Sequence, residues 1–169
     1  MKKLFSVLSV LSVTLTPFLS VSAQTVPPNG SVIRGSGAAL YYFVNNVRYV
    51  FPNEQTFFTW YTPRDYYQVN RLNDSDLAAI RIGGNVTYRP GSRLVKITTD
   101  PKVYAVDHYG TLRWIETEST AQSMYGADWK NYIDDVPDAF FVTYSVGASI
   151  RRASDFRPPA TLTPADDMR

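Results

Sequence analysis

Two similar halves follow one another in this chain, and this duplication constrains its fold more than any other feature. Gly30-Ser31 matches Gly91-Ser92, and Leu40-Tyr41 matches Val103-Tyr104, at nearly the same spacing. The remaining matches are Arg48-Tyr49-Val50 with Arg113-Trp114-Ile115, Ser75-Asp76 with Pro137-Asp138, and Gly84 with Gly147. Two copies are too few for a solenoid, so the sequence predicts one pseudo-symmetric domain with halves at about 30–90 and 91–150.

Each half shows the pattern of a β-hairpin followed by short helices. Residues 40–44 and 47–51 are β-rich runs around Asn45-Asn46, and residues 102–106 and 111–115 flank a turn ending at Gly110. Expected helix N-caps are Asn53, Asn73, Thr117 and Asp128. The halves are expected to close with strands at 85–88 and 140–146, and residues 93–98 are expected to form another strand. Because strands and helices do not alternate regularly, we predict an α+β fold with mainly antiparallel β-hairpins.

The N-terminal segment, residues 1–23, has the pattern of a secretory signal peptide. Lys2 and Lys3 precede a mostly apolar stretch from Leu4 to Leu19, and Val21-Ser22-Ala23 offers small residues for cleavage. A membrane anchor is the alternative, but the stretch is shorter than the roughly 20 residues that a spanning helix needs. The sequence predicts an exported protein, located outside the cell, on its surface or in the periplasm, with no membrane span after cleavage.

Charge and cysteine content narrow the classes of partner. The chain has 17 basic and 15 acidic residues, and removal of Lys2 and Lys3 leaves 15 of each. Without a basic excess, long-range attraction to nucleic acid is not expected. The chain has no cysteine, which excludes disulfides, a thiolate nucleophile and a cysteine-ligated metal. Its 24 aromatic residues must therefore supply much of the core.

The boundaries of the mature chain follow from composition. Residues 24–29 form a short leader and residues 30–150 a single domain. Residues 151–169 contain three prolines and little apolar periodicity, so they are expected to form a flexible tail. The alternative is a docked segment held through Phe156 and Leu162.

Five stretches are similar to a family of exported bacterial repeat-module proteins. They are Arg48–Glu54, Gly83–Gly91, Arg93–Tyr104, Tyr125–Trp129 and Asp134–Phe141. Together they cover most of residues 30–150. The resemblance implies export and modular organisation, and it brings no established activity, cofactor or catalytic residue.

Residues that could carry catalysis have simpler structural explanations. Asp74 with Asp76 and Asp134 with Asp135 could form a glycosidase-type acid pair or bind calcium, but both pairs lie near helix ends, where Asp caps or starts turns. His108 is the only histidine and lies in a predicted hairpin turn without a Gly-x-Ser-x-Gly motif. The sequence therefore predicts no catalytic residue, no metal site and no cofactor.

Aromatic and basic side chains are the better candidates for binding. Tyr66 and Tyr67 lie in a loop containing proline and charge, and exposed rings of this kind stack on sugars or anchor protein interfaces. A basic cluster around the central hairpin could bind an acidic polysaccharide, although a solvated strand face is the simpler interpretation. The candidate binding residues are Trp60, Tyr66, Tyr67, Arg89, Arg93 and Trp114, with Lys96 and Lys102 in the same basic cluster.

These features predict a non-catalytic extracytoplasmic module with a structural or binding role in the bacterial envelope or secretome. Its expected partner is an envelope polysaccharide or another surface protein. One alternative is a carbohydrate- or cell-wall-binding module, and another is a secreted hydrolase built on Asp134, Asp135 or His108.

Overall fold

A computed structural model describes residues 26–158 and 162–167, and the predicted signal peptide lies outside these residues. The described chain contains two five-stranded sheets and five short α-helices. The α+β class predicted from the sequence is confirmed. The sheets are mixed, because each has an antiparallel three-stranded centre flanked by parallel edge strands.

The first sheet has the strand order β4-β1-β2-β3-β5. Its strands are β1 (Ser31–Arg34), β2 (Tyr41–Val44), β3 (Val47–Val50), β4 (Asn70–Arg71) and β5 (Arg81–Asn85). Asn45 and Asn46 connect β2 to β3, and both have positive φ angles, of 50° and 59°. This conformation is that of a two-residue hairpin turn, and asparagine tolerates it better than most residues.

The second sheet has the strand order β10-β8-β7-β6-β9. Its strands are β6 (Leu94–Lys96), β7 (Tyr104–Asp107), β8 (Thr111–Trp114), β9 (Ile133–Asp135) and β10 (Ser145–Val146). If β6 is matched to β1, β7 to β2 and so on in chain order, each strand of the second sheet has the same neighbours as its match in the first sheet. The parallel or antiparallel direction of each pair is also the same. The two halves therefore share one topology, as the duplicated sequence pattern predicts.

Equivalent backbone hydrogen bonds define the alignment of the halves. Phe51 N donates to Leu40 O at 3.0 Å, and Ile115 N donates to Val103 O at 3.0 Å. Val86 N donates to Val50 O at 2.8 Å, and its counterpart Ile150 N donates to Trp114 O at 2.7 Å. Since Val50 corresponds to Trp114, the sequence alignment that places Val50 on Ile115 is wrong by one position throughout β3. The extra residue lies in the longer β7–β8 turn.

Helix boundaries follow the predicted caps at three of four positions. The helices are α1 (Glu54–Trp60), α2 (Asp74–Ala79), α3 (Glu118–Tyr125), α4 (Asp138–Phe141) and α5 (Pro164–Asp167). The side chains of Asn53, Asn73 and Thr117 each accept the backbone N–H three residues ahead, which confirms these N-caps. Asp128 makes no such bond, and the segment after it is a 3-10 turn, Trp129–Tyr132.

The strand expected at 140–146 is wrong over most of its length. Residues 138–141 form α4, and only Ser145–Val146 joins the sheet. Pro137 O accepts hydrogen bonds from Phe140 N and Phe141 N, which closes a helical turn. A short apolar run is compatible with a strand or with one turn of helix, and packing decides between them.

Both faces of the first sheet are covered by helices. Tyr42 packs with Phe57 of α1 on one face, while Phe43 packs with Leu77 of α2 on the other. In the second sheet Ala105 faces α3 and Val106 faces the α4 side. The rings of Tyr42 and Phe43, on opposite faces of β2, are therefore both core residues, because the sheet is covered on both sides.

The described part of the C-terminal segment packs on the domain, which differs from the flexible tail that its composition predicts. Phe156 is 8 % exposed and packs with Ala121, Trp129 and Ile150. Arg113 Nη1 donates to the backbone oxygen of Asp155 at 2.8 Å. The buried ring and the hydrogen bond to the neighbouring backbone dock this part of the segment on the domain.

Candidate binding cleft between the two halves

A cleft of about 240 Å³ lies where the two halves meet. Its walls come from β3, the end of α1, the chain around β5, the β7–β8 turn, the segment after α4, and α5. We call it the inter-half cleft. The side chains that carry its chemistry are Tyr49, Trp60, Asn85, Thr87, Tyr109, Thr143 and Asp167.

Hydrogen bonds hold the end of α1 against the chain that follows β5. Trp60 Nε1 donates to Thr87 O at 2.7 Å, and Arg89 N donates to Thr59 Oγ1 at 3.0 Å. The indole ring is therefore fixed at its polar edge. Because its N–H is bonded to the backbone, the indole ring is held in one position and presents a rigid aromatic surface to the cleft.

Two hydrogen bonds join the halves, one between residues that line the cleft and one between residues outside it. Asn85 Nδ2 lies 3.2 Å from Thr143 Oγ1, and Tyr88 N donates to the Tyr144 hydroxyl at 3.2 Å. Burial raises the pKa of Tyr144 far above its usual value, so this hydroxyl stays protonated. The amide of Asn85 and the hydroxyl of Thr143 are uncharged groups that both donate and accept hydrogen bonds.

Close packing under the cleft requires a glycine at one position. A Cβ atom on Gly83 would lie 2.5 Å from Val47 Cγ1 and 2.7 Å from the Tyr49 ring. The chain of β5 also bulges here, because the register against β3 shifts between Arg48 and Tyr49. The bulge and the missing side chain let the Tyr49 ring lie against the backbone of β5.

The β7–β8 turn places an aromatic residue in a strained conformation. Tyr109 has φ 57° and ψ 37°, in the left-handed region, and it is 45 % exposed. The backbone N–H of Tyr109 donates to Asp167 Oδ1 at 2.7 Å. This bond ties α5 to the turn and brings the C-terminal segment to the edge of the cleft.

Asp167 is the one carboxylate among the described residues that line the cleft. Its side chain is 2 % exposed, and His108 Nδ1 lies 3.3 Å from its Oδ1 atom. Burial raises the pKa of Asp167, while the Tyr109 N–H and His108 act in the opposite direction. Asp167 is therefore a hydrogen-bond acceptor held in one position at the rim of the cleft. The Tyr109 N–H and the nearby His108 offset part of the cost of burying its charge.

The six candidate binding residues from the sequence do not form one site. Trp60 lines the inter-half cleft. Tyr66 lines a separate groove of about 400 Å³ beside Phe51 and Phe57, and Trp114 lines another of about 220 Å³. Tyr67 is 85 % exposed outside these cavities, with its ring 5.7 Å from that of Tyr66.

The grooves that contain Tyr66 and Trp114 occupy equivalent places in the two halves. In the first half the walls include Leu40 and Phe51, and in the second they include the matching residues Val103 and Ile115. The duplicated topology thus produces one groove beside α1 and another beside α3. The inter-half cleft differs from both because it depends on how the halves meet.

Two of the basic candidates, Arg93 and Lys96, pair their charges with carboxylates of the protein. Arg93 Nε lies 3.0 Å from Asp134 Oδ2, and Lys96 Nζ lies 2.8 Å from Asp135 Oδ1. The backbone N–H of Arg89 is bonded to Thr59, as described above. Charges that are already paired attract an acidic polymer less strongly than free ones.

Three of the four acidic residues singled out in the sequence bond partners far along the chain instead of capping helices, and only Asp76 bonds a neighbour at its own helix start. Asp74 accepts hydrogen bonds from Ser36 N at 2.9 Å and Ser36 Oγ at 2.6 Å, while Asp76 Oδ2 accepts from Asn73 Nδ2. Asp134 and Asp135 form the ion pairs with Arg93 and Lys96. Within residues 26–158 and 162–167, no group of three or more His, Cys, Asp or Glu side chains is placed to hold a metal ion.

Acid sensitivity of the fold follows from five carboxylates with lowered pKa values, two of them exposed and three half-buried. Backbone N–H groups lower the pKa of three aspartates: that of Thr62 acts on Asp65, that of Arg152 on Asp155 and that of Thr163 on Asp166. Side-chain hydroxyls do the same for two other carboxylates, Ser36 for Asp74 and Ser149 for Glu116. A carboxylate whose pKa is lower in the folded state than in the unfolded state stabilises the fold at pH values above its unfolded pKa. This stabilisation is lost as the pH falls through the folded-state pKa. Asp167, whose pKa is raised, acts in the opposite sense.

We therefore expect the thermal midpoint to fall as pH drops below the ordinary carboxyl pKa values of 3.8 to 4.5. Differential scanning fluorimetry between pH 7 and pH 2 measures it. Asp74→Asn should reduce the slope, because it removes one titrating group while keeping an acceptor for Ser36. A midpoint that rises between pH 4 and pH 2 contradicts this assignment.

Most cleft residues carry no recognisable sequence motif. Tyr49 resembles a core strand residue, and Asn85 with Thr87 matches only the common glycosylation pattern. Asp167 belongs to the segment expected to be flexible. Tyr109 offers the one available signal, since a bulky residue just before Gly110 in a tight turn is unusual.

Within the described part of the chain, no helix is long and apolar enough to cross a membrane. Comparison of the chain with protein-family models, with curated proteins and with solved structures found no match in any of the three.

Proposed function

We propose that this chain is a non-catalytic binding module that acts outside the cytoplasm, in the bacterial envelope or secretome, and that its ligand occupies the inter-half cleft. The observation that carries the proposal is the composition of the cleft. Three aromatic residues and several uncharged hydrogen-bonding groups converge on one space of about 240 Å³. A few convergent polar groups among aromatic walls are typical of binding sites for small ligand units.

The charge pattern of the cleft supports binding without turnover. Asp167 supplies one carboxylate, whereas acid–base hydrolysis of a glycosidic bond needs two facing each other across the substrate. Asp134 and Asp135 are held in ion pairs away from His108. The apolar stretch and cleavage pattern of residues 1–23 support export.

One observation favours a hydrolase as the second candidate. His108 Nδ1 faces a buried carboxylate at 3.3 Å, the orientation in which an aspartate positions a general base. Such a site also needs a serine or threonine hydroxyl bonded to Nε2. The hydrogen bonds of the described residues include none to that atom, and Nδ1 itself lacks a hydrogen bond of good geometry. We therefore rank binding above hydrolysis.

A sedimentation assay tests the binding proposal. The chain from Gln24 onward is incubated with washed bacterial envelope, and the bound fraction is measured by depletion, while the supernatant is assayed for released fragments. Thr143→Val keeps the shape of the side chain but removes a hydroxyl from the cleft, together with its bond to Asn85. We expect binding that is about two- to tenfold weaker, the equivalent of one hydrogen bond, and no released fragments.

Thr98→Val is the matched control, because Thr98 is exposed and lies outside the cleft. It should bind like the unmodified chain. Absence of envelope binding, or equal binding by both variants, contradicts the cleft as the site. Release of fragments that stops in His108→Ala supports the hydrolase instead. Export is tested separately by mass spectrometry of the mature N-terminus, expected at Gln24.

A further inference from the structure

The described residues that line the inter-half cleft include no cation of the kind that an anionic ligand requires. Among the described residues, no lysine or arginine lines it, and its single charged side chain is the carboxylate of Asp167. Phosphate, sulfate and carboxylate groups are held in proteins mainly by arginine, lysine or clustered backbone N–H groups. The cleft therefore suits a ligand unit without negative charge.

The uncharged groups of the cleft match a ligand rich in hydroxyls. Asn85 carries an amide with both donor and acceptor atoms, and the hydroxyls of Thr87 and Thr143 can do either. A sugar hydroxyl likewise donates and accepts. The C–H faces of a pyranose ring are apolar, and the rings of Tyr49, Trp60 and Tyr109 offer flat apolar surfaces for them.

The conformation of Tyr109 is an independent pointer to this cleft. The equivalent β2–β3 turn uses Asn45 and Asn46, which tolerate positive φ, whereas the β7–β8 turn holds a tyrosine at φ 57°. Strained residues of this kind persist where the surrounding structure imposes them, and they concentrate at ligand sites. Here Tyr109 N donates a hydrogen bond to Asp167 Oδ1, and both residues line the cleft.

We propose, on the basis of the binding function proposed above, that the inter-half cleft binds one ring of a neutral saccharide. The ring lies against the aromatic walls, and its hydroxyls exchange hydrogen bonds with Asn85, Thr87 and Thr143. The volume of about 240 Å³ falls below the roughly 300–1,000 Å³ of pockets for drug-sized ligands, so a single ring fits better than a longer buried chain.

Titration with defined oligosaccharides tests this ligand class. Neutral fragments of glucan, mannan, xylan and chitin are added to the ¹⁵N-labelled chain, with polygalacturonate as the acidic probe and a tyrosine-rich peptide as the protein-like probe. We expect at least one neutral fragment to shift the indole N–H signal of Trp60 and to displace the chain from envelope. The acidic and peptide probes should do neither.

Tyr109→Gly is the decisive variant, because glycine accepts the positive φ of this turn while the ring is lost. It should remain folded and bind the neutral fragment about two- to tenfold more weakly, as expected for loss of one aromatic contact. Tyr67→Ala is the matched control, since Tyr67 is 85 % exposed and does not line the cleft. It should bind like the unmodified chain.

The outcomes separate the ligand class from the binding function. If the chain binds envelope through the cleft but only polygalacturonate or the peptide displaces it, the saccharide proposal fails while the binding function stands. Unchanged fragment binding by folded Tyr109→Gly also overturns the saccharide proposal. If nothing binds, neither in envelope nor among the probes, both proposals fail.

Discussion

Replacement of Phe57 by alanine is expected to lower the free energy of unfolding by about 3–5 kcal/mol. Phe57 is 1 % exposed, and its ring contacts those of Phe51, Tyr61 and Tyr66 at centroid distances of 5.2, 5.0 and 6.1 Å. Truncation removes the centre of this cluster and leaves a cavity that the rigid sheet cannot fill. Urea denaturation followed by tryptophan fluorescence measures the loss.

Phe58 provides a control of the same residue type in the same helix. It is 40 % exposed, and its ring meets that of Phe57 edge to face at 5.3 Å. Phe58→Ala should cost no more than about 1.5 kcal/mol, the upper range for one aromatic pair. Equal losses for the two variants would contradict the packing of α1 on the sheet described here.

Replacement of Phe156 by alanine is the second change with a large expected effect, again about 3–5 kcal/mol. The equivalent of Phe57 in the second half is Ala121, which is too small to fill the space under α3. Phe156 packs into the same cluster as Ala121, so the C-terminal segment supplies the missing ring. A chain that ends at Ile150 should lose at least as much stability as Phe156→Ala.

Val142→Ala is the control for the second half, because Val142 is 84 % exposed and its truncation should change stability by less than about 0.5 kcal/mol. Urea denaturation compares all three variants with the unmodified chain. If the chain ending at Ile150 is as stable as the full one, residues 151–158 act as a flexible tail and the role assigned to Phe156 is wrong.

The local elements of each half could be predicted because neighbouring residues specify them. Asn45-Asn46 marks a hairpin turn through its tolerance of positive φ, and Asn53, Asn73 and Thr117 mark helix starts through bonds to N–H groups three residues away. The duplication likewise predicted two halves with one topology. The parallel pairing of the edge strands β4, β5, β9 and β10 has no local signal, because their partners lie far along the chain.

The inter-half cleft illustrates what the sequence could not reveal. Trp60 was predicted as a binding residue, but Asn85, Tyr109, Thr143 and Asp167 come from separate segments. Whether an aromatic side chain belongs to the core or to a surface depends on what covers each face of its sheet, and this is decided only when both sheets are packed.

By itself, the sequence determined the class of fold, its division into two similar halves and the positions of most turns and helix caps, because these depend on conformational preferences and hydrogen bonds within a few residues. Only the tertiary structure decided that Phe156 completes the second core and that the halves enclose a cleft. Both depend on which distant surfaces meet. Burial of apolar surface stabilises any complementary contact, however far apart the two residues lie along the chain.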